Sequence, residues 1–366
     1  MKACLCISCL LTIAFLLSCA TKPEDVYLDV VEFVEEPIIE QGDPGTENNT
    51  YGLEGGLTFK LDDIYHMFIA EVCCEPKVVK TRLAHWKSLD GLNFERVSTL
   101  YESSGNFDGT DDYASLWSPM PVFNEDENQW ELFYVAYRSA PKLPGEFSEL
   151  TFRNNTHGMI VRAASTEKGK DGIGGPYEDI GVVLQPDENS DWWEGPQGTA
   201  SFYPYKVGDT WLSFYCSWRS GHDWNTKMWF GAGLVSASSL AGPWKRLSEF
   251  NPVMINNTFI ENPIIFNLDN GLLLALFDSG FEQNTIGYSV SKDGYHWSKE
   301  KKIIFPENAV PWTGEVRTPL SFIPEADGTY SIYYTAFNSD RFENNTEPVH
   351  HFGWGTVGLL RVKVRD

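Results

Sequence analysis

The sequence predicts an all-β fold, a five-bladed β-propeller with four antiparallel strands per blade. Three observations carry this. A strand–turn–strand unit recurs five times along the chain. Aromatic residues make up 14% of the 366 residues, which favours strands over helices. Beyond the first twenty residues no long segment has a helical period. Apolar residues make up 42%, enough for a sizeable core and too many for bulk disorder. Two β-sandwich domains would use similar strands, but they do not explain the fivefold recurrence, and no Pro/Ser linker separates the halves.

The elements follow in chain order. Residues 1–18 hold one Lys and then an apolar run, too short for a comfortable membrane span, and read as a signal peptide. Leu16-Leu17-Ser18-Cys19 resembles a bacterial lipobox, in which Cys19 is acylated and becomes the mature N-terminus. The alternative is an ordinary cleaved signal with an incidental Cys. Residues 19–50 then form a polar tether and N-terminal segment, and 51–366 the propeller. This arrangement predicts a cell-envelope protein, lipid-anchored to an outer membrane and otherwise free of the bilayer.

The five units begin "EGGLTFKLDDIYHMFIAEV" at Glu54, "WSPMPVFNEDENQWELFYVAYR" at Trp117, "EGPQGTASFYPYKVGDTWLSFYCSWR" at Glu194, "ENPIIFNLDNGLLLALFDS" at Glu261 and "RTPLSFIPEADGTYSIYYTAF" at Arg317. Their starts lie roughly 55 to 80 residues apart, enough for a four-stranded blade. Each opens with a polar or aromatic residue near a Gly or Pro, runs as an apolar strand, turns at an acidic pair such as Asp62-Asp63, and returns as a second apolar strand. The second halves repeat as well. "HWKSLDGLNF" and "YSVSKDGYHW" share a Ser-x-Asp-Gly turn before a short fourth strand, and "LAGPWKR" is a longer variant.

Up-and-down blades put the starts of first strands and the ends of second strands on one face. Residues 54, 117, 194, 261 and 317 are therefore expected around one mouth, with Glu71, Arg138, Arg219 and Asp278 from second strands. Loops would add His222, Asp223, Trp224, His350 and His351. Carboxylates crowded at one mouth repel one another and lose hydration, so they make more sense as a site than as packing.

Formal net charge is −23, which disfavours nucleic acid as a partner and suits solubility in the medium. After the signal only Cys73, Cys74 and Cys216 remain, with no CxxC and no Cys/His spacing for zinc. A Cys73–Cys74 bridge would be strained, and free thiols are expected. Four Asn-Asn-Thr triplets, from Asn48, Asn154, Asn256 and Asn344, match the glycosylation pattern, but on a bacterial lipoprotein they read as turn formers.

These features together resemble the five-bladed propeller glycosidases of glycoside hydrolase family 43 and its neighbours, families 62, 32 and 117. The resemblance covers about residues 50 to 366 and rests on the blade pattern, on Trp117-Ser118-Pro119, Glu194-Gly195-Pro196 and Glu261-Asn262-Pro263, and on "LAGPWKR" from Leu240. It implies hydrolysis of a glycosidic bond in a polysaccharide or oligosaccharide. In family 43 a base Asp opens blade one, a tuning Asp blade three and an acid Glu blade four. That implies Glu54 as base, Glu194 as tuning residue and Glu261 as acid, with Glu in place of Asp at two positions and Gly56 in place of the usual Pro. The family's acid is often written Glu-Gly-Pro, which would pick Glu194 instead. In family 117 a His serves as acid, which would fall to His222 or His351.

Such chemistry needs one protonated and one ionised carboxyl on opposite sides of the bond, and no cofactor. Ile260, Ile264 and Ile265 flank Glu261 and would keep its proton on. Trp117, and Trp192 or Trp193 beside Glu194, would offer indole faces to sugar rings, with blade-to-blade packing the other role for one of that pair. Arg138, Arg219 and Arg317 either neutralise the acids or grip an acidic or sulfated substrate, with His222 and His351 as further substrate contacts. No metal ligand set is expected at the site, although the central channel leaves room for a structural Ca2+. Two other functions share the fold: a non-catalytic surface glycan-binding lipoprotein, and a glycoside phosphorylase with a basic phosphate pocket.

Overall fold

The computed structural model of the chain describes residues 22–75, 79–141, 152–219, 229–256, 259–280, 284–306, 309–337 and 353–365. After a 3-10 turn at Pro23–Asp25, β1 spans Tyr27–Phe33. Blade one is β2 (Leu53–Leu61), β3 (Ile64–Glu71), β4 (Arg82–Ser88) and β5 (Glu95–Glu102). Blade two is β6 (Ser115–Asn124), β7 (Gln129–Pro141), β8 (Phe152–Lys168) and β9 (Tyr177–Leu184). Blade three is β10 (Ala200–Val207), β11 (Thr210–Arg219), β12 (Trp229–Ala237) and β13 (Lys245–Arg246). Blade four is β14 (Glu261–Asn267), β15 (Leu273–Asp278), β16 (Thr285–Ser291) and β17 (Lys301–Ile304). Blade five is β18 (Glu315–Pro319), β20 (Tyr330–Phe337) and β21 (Gly355–Arg365), with β19 (Ile323–Pro324) also on β20. The fold is the five-bladed propeller that the repeat predicts.

Burial follows the blade order. The middle strands β15 and β16 are buried at every residue, because neighbouring blades cover both faces. The outer strand β5 is exposed or half-buried throughout. The hairpin between β2 and β3 turns at Asp62 and Asp63, both with positive φ (48° and 64°), as a two-residue loop matched to strand twist requires. In the Ser-x-Asp-Gly turns, Asp90 accepts from the amides of Leu92 and Asn93, and Asp293 from those of Tyr295 and His296, each at 2.8–2.9 Å. Gly91 and Gly294 follow with φ of 75° and 78°, where a side chain would be strained. Asn256, in one Asn-Asn-Thr triplet, accepts from the Phe259 amide at 3.1 Å.

The ring closes with strands from the two ends of the chain. β1 is the outermost strand of blade five and pairs antiparallel with β21, Tyr27 opposite Arg365 and Leu28 opposite Val364.

Blade three departs from the expected boundary. Its first strand starts at Ala200, not at Glu194, because residues 194–199 turn before the strand begins. In register, Glu54 faces Ala70, Trp117 faces Val135, Ala200 faces Cys216 and Glu261 faces Asp278. Each of these pairs is followed by a β-bulge, and so is the Val316–Ala336 pair of blade five. The residue after each, namely Gly55, Ser118, Ser201 or Asn262, has a positive φ of 50–65°.

Those bulges meet at the propeller axis. Ser118 of blade two donates to Asn262 Oδ1 of blade four at 3.3 Å, and Ser201 of blade three donates to the same oxygen at 2.7 Å. Asn262 Nδ2 donates to Thr318 Oγ1 of blade five at 3.1 Å. Neutral side chains of four blades are thus bonded to one another here.

Candidate active site

β2, β14 and β18 bring three of the expected residues together beside these bonded side chains. The Arg317 guanidinium donates from Nε and Nη2 to Glu54 Oε1, at 3.2 and 3.1 Å. The same Nη2 donates to Glu261 Oε2 at 3.2 Å. One nitrogen bonded to both keeps the nearest carboxylate oxygens within about 6 Å of each other. A fourth group lies behind them: Asp278 Oδ2 forms an ion pair with Arg317 Nη1 at 3.0 Å. Glu315, also buried, adds its charge to the field around Arg317.

The cluster is graded in depth. The side chains of Glu54 and Glu261 are 17% and 16% exposed, against 10% for Arg317 and 1% for Asp278. The glutamates are thus what a molecule in the mouth would touch. Burial pushes the Glu261 carboxyl up to about 7; Arg317 opposes this, while Asp278 and Glu54 add to it. Arg317 stays charged: burial works against it, but Asp278, Glu54, Glu261 and Glu315 together raise it further. Tyr137 and Cys216 sit within the field of Glu261, both raised chiefly by burial, Cys216 beyond the ordinary thiol range.

Glu194 lies elsewhere. Its Oε1 accepts from Arg246 Nε at 2.6 Å, its Oε2 from Arg246 Nη2 at 3.0 Å, and Tyr215 Oη donates to Oε1 at 2.9 Å. Arg246 is on β13, the outermost strand of blade three, so this carboxylate points outward along the blade. Ala200 holds the position in register with Glu54 and Glu261. Glu71 is likewise withdrawn, bonded to Arg82, Arg96 and the Trp86 indole inside blade one.

Trp193 does not face the mouth as an aromatic wall. It is fully buried, 5.3 Å from the Tyr215 ring, and packs over Gly233, where a Cβ would come within 2.5 Å of it. The apolar ring is worth more in the core than at a wet surface. Its neighbour Trp192 is 72% exposed. Trp117 is buried except for 8% of its surface, with its indole nitrogen bonded to Ser115 Oγ. It keeps the register position beside the glutamates.

Arg138 is not part of the Arg317 cluster. It pairs with Asp112, both about a third exposed. Arg138 and Arg219 each lie three residues past the partner of a first-strand position, Val135 in blade two and Cys216 in blade three. They are equivalents on adjacent blades; the Arg219 side chain lies outside the described residues. So do His222, His351 and Cys19. Among the described residues no group of three or more His, Cys, Asp or Glu is placed to hold a metal ion. Cys73 and Cys216 are buried and Cys74 exposed, all three as free thiols.

Asp278, expected at the mouth as the end of a second strand, joins the cluster through its register with Glu261, which the sequence does not give. Glu315 carried no signal beyond lying two residues before Arg317.

The five-bladed propeller fold is shared with solved glycoside hydrolases. Zg3597, a family 117 glycoside hydrolase from the marine bacterium Zobellia galactanivorans, is 12% identical with a TM-score of 0.57, over 93% of this chain and 90% of that one. The GH43_1 enzyme from Xanthomonas citri, solved with xylose, is 11% identical with a TM-score of 0.54, over 90% of each chain. The α-L-arabinofuranosidase from Lactobacillus brevis is 11% identical with a TM-score of 0.53, over 88% of this chain and 94% of that one. At such identities the likeness is one of fold. No protein-family model and no curated protein matches the sequence.

Proposed function

We propose that the protein is a glycoside hydrolase acting on a polysaccharide or oligosaccharide, with Glu261 as general acid and Glu54 as the ionised partner. The observation that carries this is the unequal sharing of Arg317. Glu54 receives two of its N–H donors and Glu261 one, and Glu261 is the carboxyl raised to about 7. Donors favour the charged form, so the doubly bonded Glu54 is assigned the carboxylate's role and the buried Glu261 the acid's. Two neighbouring carboxyls with opposed protonation are what glycosidic cleavage requires.

In the step itself, the Glu261 proton passes to the glycosidic oxygen as the bond to the anomeric carbon breaks. Glu54 either takes a proton from the attacking water or bonds to that carbon. The sugar gathers positive charge meanwhile, and the surplus of carboxylates over Arg317 favours it. A preference for acidic or sulfated glycans, if the site has one, falls to Arg138 and Arg219 at the rim, since Arg317 is committed to the acids. The propeller would act at the cell envelope, lipid-anchored to an outer membrane through Cys19.

A non-catalytic glycan-binding role is the second reading. What favours it is Ala200, an alanine where two other blades place a glutamate. Assays of sugar release from aryl glycosides and a polysaccharide panel, with and without phosphate, separate the readings. Hydrolysis abolished in Glu54→Gln supports the enzyme. Glycan binding without release on every substrate supports the binder, and release only with phosphate supports a phosphorylase.

A further inference from the structure

We infer that Asp278 is a positioning residue of this site: it holds the far side of the Arg317 guanidinium, and so keeps the near side aimed at Glu54 and Glu261 and fixes which of them carries the proton. The inference rests on the glycosidase reading above and goes beyond it by assigning a role to a side chain that substrate cannot reach.

Three features of the geometry point there. Asp278 ends β15 directly opposite Glu261, so the backbone of blade four sets the spacing of the two carboxyls. Its Oδ1 accepts from the Gly280 amide at 2.9 Å, which orients the carboxylate, and its Oδ2 lies 3.0 Å from Arg317 Nη1 as an ion pair. It is 1% exposed, beneath glutamates that open to the mouth.

The guanidinium is a planar fork. With Nε and Nη2 directed to the glutamates, Nη1 lies 3.0 Å from Asp278 Oδ2. Removing Asp278 takes away the largest favourable charge on this buried cation, so the fork would be free to tilt. Tilting would break the two-to-one division of donors that distinguishes Glu54 from Glu261. Asp278 also acts through space. Its charge is the largest favourable influence on Arg317 and one of those keeping the proton on Glu261. The other titratable groups facing Glu261 are Arg317 on β18, Glu54 on β2, Tyr137 on β7 and Cys216 on β11.

The test is Asp278→Asn, which keeps the shape and removes the charge. Two readouts apply: the pH profile of kcat/KM on aryl glycosides, and the carboxyl infrared band that titrates in the wild type and vanishes in Glu261→Gln. Both should move to lower pH by roughly one unit, with kcat falling and KM little changed. Asp278→Glu, which keeps the charge but displaces it, should leave the titration in place and lower kcat. An unmoved titration in Asp278→Asn with only a lowered Tm would mean that Asp278 is scaffolding, and the inference fails. If Asp278→Asn does not fold, full kcat in Asp278→Glu overturns the inference and reduced kcat with the titration in place supports it. If the wild type hydrolyses no glycoside, the glycosidase reading fails by itself, and the infrared titration still decides whether Asp278 sets the proton on Glu261.

Discussion

Glu194 and Arg246 face each other in a two-point ion pair, Nε to Oε1 at 2.6 Å and Nη2 to Oε2 at 3.0 Å, at the outer edge of blade three. Both side chains are nearly buried, 4% and 6% exposed. Tyr215 and the Asp191 amide complete the carboxylate's partners. The Glu-Gly-Pro of blade three therefore spends its acid on holding the blade together. Glu194→Gln should destabilise the protein by about 3–5 kcal/mol in denaturant melts, as for a broken buried pair. It should show no dependence on leaving group. A leaving-group effect on Glu194→Gln with unchanged stability would return the acid role to Glu194.

Glu261→Gln should cripple turnover of a glycoside with a poor leaving group and spare one with a good leaving group, whose oxygen needs no proton. Positioned proton transfer is worth about 10²–10⁴-fold. Glu54→Gln should cripple both. In the wild type the acid must be protonated, so kcat/KM should fall as pH rises through about 7, where Glu261 titrates. A profile flat from pH 5 to 9 would count against the assignment.

Arg317→Ala should lower activity on acidic and neutral glycosides alike and cost about 3–5 kcal/mol of stability, because it leaves buried carboxylates unpaired. Arg138→Ala should affect stability little, since its pair with Asp112 is partly exposed. If the substrate is acidic, Arg138→Ala should lower kcat/KM selectively on it. Loss in Arg317→Ala confined to acidic substrates would show that Arg317 grips substrate after all.

His66 and His85 stack in blade one, with Nδ1 of His66 2.9 Å from Nε2 of His85. Burial pushes them down to about 4 and about 3. Both are neutral in the fold, while the unfolded chain binds their protons from about 6.5 downward. Stability should therefore fall with pH from about 6.5 to about 3. Calorimetry in that range should show a shallower fall in Tm for His85→Gln. An equal slope would place the acid sensitivity elsewhere.

Cys19 should carry lipid. Mass spectrometry of the mature protein from a bacterial host checks this, and an unmodified N-terminus beyond residue 19 would contradict it.

The strand count, the acidic hairpin turns, the Ser-x-Asp-Gly turns and the fivefold period were all legible in the sequence, because each is set within a few residues by turn chemistry and hydrophobic pattern. So were Glu54, Glu261 and Arg317 as a group, since the repeat itself places first-strand starts at one mouth. What the tertiary structure decided is how those side chains are partnered. Arg317 and Glu54 are 263 positions apart in the chain. Whether an acid in a recurring phrase reaches the mouth depends on strand register, and one turn of six residues before Ala200 was enough to send Glu194 to Arg246. Trp193 was lost to the core for a similar reason: Gly233, on another strand, leaves the space that its indole fills. Asp278 became part of the cluster only through its cross-strand pairing with Glu261. Local propensity fixes elements, whereas the pairing of buried charges is settled by which strands and blades stand face to face.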